Sequence, residues 1–393
     1  MAFGEGVPVN PPVTRTAKRE FDGTIRLRDP AATLAWIRPL FPQFGITRLA
    51  NITGLDRIGI PVWLCVRPNS RSLSVSQGKG VTTELAQASA VMESIELFHA
   101  ERVAGPDMVS SYHAARRRHE LIDPRDLAPG IRWRAYTPAR KIAWIQGTDL
   151  GSGERVFVPR AWMDMNDSRP DPDAGLFFST TTGLASGNHR QEALCHALFE
   201  VVERDCEWRW ERRSQRARRA RQVRDDTIES PMLRRLLEQF ASAGILVRMW
   251  DMTSDVGIPA YECAISDPRA LDGPNMASGS GCHLSKEIAL SRALTEAAQS
   301  RLTIIAGSRD DVFPSLYRDL KYAAPHDQEF PGTVDFRERQ SVPTGLTFED
   351  DLQAILQLLA NAGFTRVVAV EHTRPEFEVP VVAVVVPGMH EVR

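Results

Sequence analysis

Three segments of the sequence carry either carboxylates or an arginine with a glutamate, spaced about one helical turn apart. Glu93 and Glu96 lie three residues apart in the first segment, and Arg292 and Glu296 lie four residues apart in the third. The second segment holds a longer series, which consists of Asn188, Glu192, Glu200, Glu203 and Arg204. Side chains at these spacings share one face of a helix. Each segment can therefore direct its polar groups into a common cavity.

Acidic side chains that converge in this way repel one another unless cations lie between them. Mg²⁺ held together with nucleotide phosphates is a frequent guest of such sites, so the pattern favours an enzyme that uses ATP. Ion pairs on a solvated helix face are the alternative interpretation. Glu203 and Arg204, however, have mainly apolar neighbours within residues 198–206, where full exposure is unfavourable.

Basic residues near these segments are candidates for phosphate binding. Arg292 offers a planar fork of donors that matches a phosphate group, and Glu296 would then hold a metal ion or a ribose hydroxyl. Lys79 lies in Gln77-Gly-Lys-Gly80, which lacks the GxxxxGK[ST] pattern of a phosphate loop. Lys79 is therefore either a phosphate ligand or a surface lysine in a turn.

The composition excludes several kinds of partner. The chain has 393 residues and a formal net charge of −2, so no global field attracts nucleic acid or a membrane surface. The run from Arg209 to Arg224 is interpreted as a solvated helix face, with an acidic or peptide partner as the alternative. The five cysteines show no zinc spacing, and Cys282-His283 lacks an assignable orienting acid for covalent catalysis. We expect a cytoplasmic protein with no signal peptide and no membrane-spanning helix.

The polar segments occupy equivalent places in three rounds of predicted secondary structure. Each round has a strand, a loop of small residues and then a helix that bears the polar groups. The loops are predicted at 74–80, 182–187 and 277–282, and the helices end near residues 102, 213 and 306. This order predicts mixed α/β layers whose helices assemble one site. Residues 1–23 are expected to form a flexible leader, residues 24–393 a domain, and residues 308–347 a surface excursion or lid.

Together these segments resemble the YcaO superfamily, from about Thr24 to the carboxyl terminus. The resemblance implies the YcaO fold, an α/β arrangement in which mixed sheets pack with helices that together build one ATP/Mg²⁺ site. Members of that family use ATP to phosphorylate the oxygen of a peptide backbone amide, so that a nucleophile can replace it. The matching stretches are 76–80 with 89–96, then 182–193 with 200–205, then 281–283 with 291–301.

The resemblance also implies roles for individual residues. Glu200, Glu203 and Arg204 would be catalytic. The Mg²⁺ ligands would be Glu93, Glu96, Glu192, Glu200 and Glu203. The residues around the nucleotide would be Arg26, Thr33, Lys79, Ser89, Asn188, Glu192, Arg292 and Glu296, with Arg28 as an equally near alternative to Arg26.

The nucleophile decides the product of such an enzyme. External sulfide gives a thioamide, a Cys, Ser or Thr side chain of the substrate gives an azoline, and an amine gives an amidine. Azoline-forming relatives often end in a PxPxP tail, whereas this sequence ends Val386-Pro-Gly-Met-His-Glu-Val-Arg393. This ending and the segment from Gly45 to Pro61 resemble YcaO proteins that work with a TfuA partner. We therefore expect thioamide formation in a ribosomally made peptide or protein, with azoline and amidine formation as alternatives.

The expected partners follow from the same resemblance. A TfuA-like protein or a separate peptide-recognition protein would bring the peptide or protein substrate, and a homodimer is expected. A function of another class also stays open, that of a non-catalytic accessory protein for the methylthiolation of a ribosomal protein. A plain α/β scaffold with structural ion pairs would require all three polar helices to be coincidental.

Overall fold

The computed structural model describes residues 16–178, 180–269, 276–309 and 332–390. Its α-helices are α1 (Pro30–Ile37), α2 (Phe41–Phe44), α3 (Thr83–Ala100), α4 (Tyr112–Ala115), α5 (Arg160–Met163), α6 (Arg190–Glu211), α7 (Gln215–Arg219), α8 (Pro231–Ser242), α9 (Lys286–Ala306) and α10 (Phe348–Asn361). Its strands are β1 (Arg19–Phe21), β2 (Thr24–Arg26), β3 (Arg48–Asn51), β4 (Val62–Val66), β5 (Val75–Lys79), β6 (Met108–Ser111), β7 (Glu120–Leu121), β8 (Lys141–Asp149), β9 (Arg155–Pro159), β10 (Leu184–Ser186), β11 (Leu246–Asp251), β12 (Ala260–Ser266), β13 (Met276–Cys282), β14 (Val368–Glu371) and β15 (Val381–Val385).

The strands form one large sheet and three smaller ones. The large sheet has the order β10-β15-β14-β8-β9-β7, with β6 also paired to β8, and β7 runs parallel to β9. The small sheets are β11-β12-β13, β3-β4-β5 and β1-β2. In the register of the large sheet, Val382 of β15 lies opposite both Ala185 and Glu371. This arrangement of several sheets packed with helices is the mixed α/β architecture that the sequence predicts.

Strand β15 explains how two hydrophobic cores meet at the large sheet. Successive side chains of a strand point to opposite faces. Val381, Ala383 and Val385 accordingly belong to the core shared with α3 and β8, while Val382 and Val384 belong to the core shared with α6 and α10. All five side chains of the strand are buried, which accounts for its uninterrupted apolar sequence.

Three long helices each contact two sheets. Helix α3 packs on β4 and β5 and also on β10, helix α6 packs on β10, β15 and β13, and helix α9 packs on β12, β13 and β5. Polar side chains fix where these helices begin. Thr82 accepts a hydrogen bond from the backbone N–H of Leu85, and Ser285 accepts one from that of Ile288. The inward faces of the three helices therefore surround a common space.

The three predicted loops of small residues were wrong in type, because each of them contains a strand. Their glycines serve close packing of sheet on helix. A Cβ on Gly78 would lie 2.0 Å from the backbone nitrogen of Ala90 in α3, and one on Gly281 would lie 2.1 Å from the carbonyl oxygen of Ala289 in α9. No side chain fits in such a gap, so glycine is required there.

The structure describes only part of the predicted leader and of the predicted surface excursion. Residues 1–15 and 310–331 lie outside the described residues. Thr16 and Lys18, however, bind Glu349 and Asp351 of α10, and β1 follows directly. At the other end, residues 332–347 contribute Phe336, which is buried, to a hydrophobic core. A few tertiary contacts thus hold the described ends of these polar and proline-rich stretches.

Two expectations about charge and membranes can be compared with the described residues. Within the arginine-rich run, Arg209 pairs with Asp205 and Arg224 pairs with Asp226, while Arg216 is exposed. The run is therefore partly ion-paired rather than a uniformly solvated face. In the described part of the chain, no helix is both long enough and apolar enough to span a bilayer.

Candidate functional site

The inward faces of α3, α6 and α9 enclose a cavity of about 630 Å³. This volume lies within the range of roughly 300–1,000 Å³ that is usual for small-molecule sites. Every residue that the sequence singled out for the site lines it. These residues are Arg26, Thr33, Lys79, Ser89, Glu93, Glu96, Asn188, Glu192, Glu200, Glu203, Arg204, Arg292 and Glu296, and Arg28 lines the cavity as well. Their roles stay predictions.

The amino-terminal elements are attached to the start of α6 by hydrogen bonds. The hydroxyl of Thr33 donates to Oδ1 of Asn188 at 2.8 Å, and the amide of Asn188 donates to Glu192 at 3.1 Å. Glu192 also accepts a hydrogen bond from the backbone N–H of Leu27 at 2.9 Å. Nε of Arg26 lies 3.8 Å from the same carboxylate. The chain between β2 and α1 thus forms one wall of the cavity.

Several cavity carboxylates resist ionisation in the absence of a cation. Glu96 accepts hydrogen bonds at 2.7 Å from both the backbone N–H and the hydroxyl of Ser186, yet burial raises its pKa to about 8. Burial raises the pKa of Glu200 to about 7, although Oε2 accepts a hydrogen bond from the N–H of Gly183. Burial raises the pKa of Glu93 as well. A positive partner would favour the charged form of each of these groups.

The cavity also contains cations that satisfy only some of its acids. Nζ of Lys79 lies 2.5 Å from Oε2 of Glu296. Burial alone would raise the pKa of Glu296, but Lys79 and Arg204 outweigh burial and hold it below its ordinary range. Arg204 contacts Glu207 at 2.8 Å and lies 3.9 Å from Glu200. Positive and negative groups therefore both line the cavity wall.

One group of carboxylates has the spacing that a divalent cation requires. One oxygen each from Glu203, Glu207 and Glu296 lie within 4.8 Å of one another. Glu203 is buried, and its Oε2 has no hydrogen-bond partner among the described residues. Buried carboxylate oxygens without donors are costly, and Mg²⁺ binds such hard oxygen ligands. The residues present fit a magnesium ion, although Glu207 was absent from the predicted metal ligands.

The sequence interpretation missed further residues that line the cavity. His196 lies four residues from both Glu192 and Glu200, so its spacing could have identified it. His283, which the sequence suggested only as a partner of Cys282, also lines the cavity and lies against the ring of Phe199. By contrast, burial raises the pKa of the Cys282 thiol well above its ordinary value, which opposes thiolate chemistry at this residue.

Comparison with known proteins identifies relatives across most of the chain. The family model described as YcaO cyclodehydratase, ATP- and Mg²⁺-binding, matches residues 77–390. An uncharacterized protein from the tfuA 3′ region of Rhizobium leguminosarum bv. trifolii is 36% identical over 375 residues, which cover 92% of this chain and 87% of that protein.

Solved structures with the same fold include two informative cases. The YcaO protein of Methanopyrus kandleri, bound with AMPPCP and Mg²⁺, is 26% identical and aligns with a TM-score of 0.73 over 95% of this chain and 94% of that one. A heterocyclase in complex with substrate and cofactor aligns with a TM-score of 0.78 at 20% identity. The alignment covers 96% of this chain but only 54% of the heterocyclase. At 20% identity the likeness shows the fold alone.

Proposed function

Because the chain belongs to the YcaO family, which binds ATP and Mg²⁺, we propose that it uses ATP to activate a backbone amide of a peptide. The observation that carries the proposal is the convergence of three helices on one cavity. Carboxylates whose pKa values are raised lie there together with the basic residues Lys79, Arg204 and Arg292. A wall that carries both acidic and basic groups suits a nucleotide triphosphate held through a divalent cation.

The residues of this chain divide into three roles in the proposal. Arg292 and Lys79 bind phosphate oxygens, because both are donors that line the cavity, and Lys79 would exchange its ion pair with Glu296 for the phosphate. Glu203 and Glu207, together with Glu296, hold Mg²⁺, and the other predicted metal ligands, Glu93, Glu96, Glu192 and Glu200, complete the acidic wall. When bound, Mg²⁺ neutralises charge on the phosphoryl group that is transferred.

We propose thioamide formation as the specific outcome. The relative encoded in the tfuA 3′ region supports this choice. In the net reaction, ATP, sulfide and a peptide amide give a thioamide, ADP and phosphate. The carbonyl oxygen leaves on phosphate and sulfur takes its place on carbon. Azoline formation is the second candidate, because the matching family model is described as a cyclodehydratase.

Nucleotide binding can be tested before any peptide is known. Calorimetry with Mg²⁺ and AMPPCP should show binding by the wild type that depends on Mg²⁺. Glu200→Gln should weaken it at least tenfold, or about 1.4 kcal/mol, because the variant keeps the shape of the side chain but loses its charge. Glu211→Gln is the matched control, since Glu211 is an exposed glutamate at the end of the same helix. Absence of binding by folded wild type would overturn the proposal.

The product can be tested by co-expression with a TfuA-like protein and mass spectrometry of the peptide fraction. Replacement of an oxygen by sulfur in the peptide, if it is lost when Glu200 is substituted, supports thioamide formation. Loss of water at Cys, Ser or Thr supports azoline formation instead. Binding of ATP without any peptide-dependent release of ADP would support the accessory role.

The setting of the reaction is part of the same proposal. We propose that the chain works in the cytoplasm as a homodimer and that a TfuA-like or peptide-recognition protein delivers its substrate. Light scattering of the purified chain should give twice the monomer mass of 43.8 kDa. A monomer in the presence of both nucleotide and partner would contradict the dimer.

A further inference from the structure

His196 makes a polar contact that links two of the three helices around the cavity. It lies in α6, on the face that also carries Glu192 and Glu200. Its Nε2 atom is 3.1 Å from Nη1 of Arg292 in α9. Both side chains line the cavity.

The chemistry of the two groups fixes the direction of this hydrogen bond. A guanidinium has donors only, so Nε2 of His196 must accept. An imidazole that accepts at Nε2 is neutral and carries its proton on Nδ1. The surroundings agree, because burial and then Arg292, Arg26 and Lys79 lower the pKa of His196 well below its ordinary value. His196 is therefore a neutral acceptor among positive groups.

The contact matters because Arg292 has a competing partner. Its Nη2 atom lies 3.9 Å from Oε2 of Glu203, which is beyond hydrogen-bond distance. The Nε atom of Arg292 has no hydrogen-bond partner within the described ranges. If Arg292 moved onto Glu203, the two charges would neutralise each other. Neither group would then be available to a phosphate or to a cation.

A neutral acceptor avoids that outcome in a way that a carboxylate could not. A carboxylate at position 196 would hold the guanidinium but would also cancel its charge. The imidazole of His196 holds one end of Arg292 and leaves the charge in place. The remaining donors of the fork can then meet an anion.

We propose that His196 is a positioning residue that holds Arg292 away from Glu203 and oriented toward the phosphates of the nucleotide. The inference rests on the proposed function, because the nucleotide is the anion that Arg292 would meet. His196 acts through Arg292 and need not touch the nucleotide.

A pair of conservative variants tests the acceptor. The side-chain oxygen of His196→Gln can reach the place of Nε2, whereas the amide of His196→Asn is shorter and corresponds to the Nδ1 side of the ring. With Mg²⁺ and AMPPCP as the probe, His196→Asn should weaken binding about tenfold, which is about 1.4 kcal/mol. His196→Gln should stay within about threefold of wild type. Thermal unfolding of both variants checks that the fold is intact, and equal loss in both variants would overturn the proposal.

A double-mutant cycle tests whether the effect passes through Arg292. Arg292→Met keeps the stem and removes the donors. In that background His196→Asn should change binding by less than about twofold, because the group that it positions is gone. Equal losses in both backgrounds would overturn the role of His196 while leaving nucleotide binding established. Absence of binding by folded wild type would overturn the proposed function and this inference together.

The tautomer provides a readout that does not depend on nucleotide. Nitrogen NMR of protein labelled at histidine should show an unprotonated Nε2 and a protonated Nδ1 for His196, with its resonance assigned by its loss in His196→Gln. A protonated Nε2 would overturn the proposal, since such a ring could not accept from Arg292.

Discussion

Two carboxylates, one in helix α3 and one directly after it, lie in different surroundings. Glu96 faces the cavity, where Ser186 donates two hydrogen bonds to one of its oxygens. Glu101, just beyond the last residue of the helix, is fully buried and accepts hydrogen bonds from both Nη atoms of Arg67 and from Arg102. Burial opposes the charge of both groups. Nevertheless the pKa of Glu101 lies below its ordinary range, whereas that of Glu96 rises to about 8.

The difference lies in where the opposite charge comes from. The countercharge of Glu101 is part of the chain, because the side chains of Arg67 and Glu101 are 3% and 0% exposed and lie 2.7 Å apart. Among the described residues, the hydrogen-bond donors to Glu96 are the neutral groups of Ser186. A buried acid of the first kind holds the fold together, and one of the second kind is suited to a cation that arrives with a ligand.

The largest expected effect comes from breaking the buried ion pair of Arg67 and Glu101. Glu101→Gln leaves Arg67 buried without its countercharge, which should lower the free energy of unfolding by about 3–5 kcal/mol. Denaturant unfolding measures this change. Glu96→Gln is the matched control on the same helix, since its amide oxygen can still accept from Ser186. Without ligand, the control should be at least as stable as wild type. Equal destabilisation of the two variants would contradict the distinction between a buried acid with a built-in countercharge and one without.

An intermediate effect should appear in the pH dependence of the ligand-free protein. Burial raises the pKa of Glu96 to about 8 and that of Glu200 to about 7, from 4.5. In this interval the folded state binds more protons than the unfolded chain, so the contribution of these groups to stability falls as pH rises from about 4.5 to about 8. Glu101 acts in the opposite sense, because its depressed pKa means that stability is lost as pH falls below about 4.5.

Thermal unfolding across this range measures the effect. The double variant Glu96→Gln/Glu200→Gln should show a flatter decline toward high pH than wild type. Mg²⁺ with AMPPCP should stabilise the wild type more at the alkaline end, because the carboxylates are then charged. If the stability of wild type and of the double variant changed with pH in parallel, Glu96 and Glu200 would not be the cause of the decline.

The smallest effect is expected for an ion pair at the surface. Arg190 and Glu371 lie 2.8 Å apart, but their side chains are 40% and 44% exposed. Water screens such a pair, so a double-mutant cycle with Arg190→Ala and Glu371→Ala should give a coupling below about 1 kcal/mol that decreases with salt. A coupling as large as the loss of stability in Glu101→Gln would show that burial does not distinguish strong ion pairs from weak ones.

The elements that build the cavity were largely predictable from sequence. The ends of α3, α6 and α9 fall within about two residues of their predicted positions, because apolar and small residues repeat with helical period. The same period placed the acids of each helix on one face, and the structure brings those faces together. What each acid does there stays a prediction.

Other features depended on contacts between distant parts of the chain. Short stretches of small residues usually indicate turns, but Gly78 and Gly281 are in strands. Glycine is needed at these two positions because a helix packs closely against each strand. The pairing of His196 with Arg292 joins residues 96 positions apart, and no local pattern specifies it. Thr16 and Lys18 are likewise fixed by α10, far along the chain.

The wall formed by β2 and α1 has a practical consequence for delimiting this domain. The family model begins at residue 77, yet Arg26 and Thr33 line the cavity and Leu27 binds Glu192. A protein cut at residue 77 would lose that wall, β3, β4 and the first two residues of β5, which leaves the rest of β5 without its partner strand. Exposed strand edges promote aggregation. For expression and crystallisation, the segment from Thr16 onward therefore belongs to the minimal folding unit.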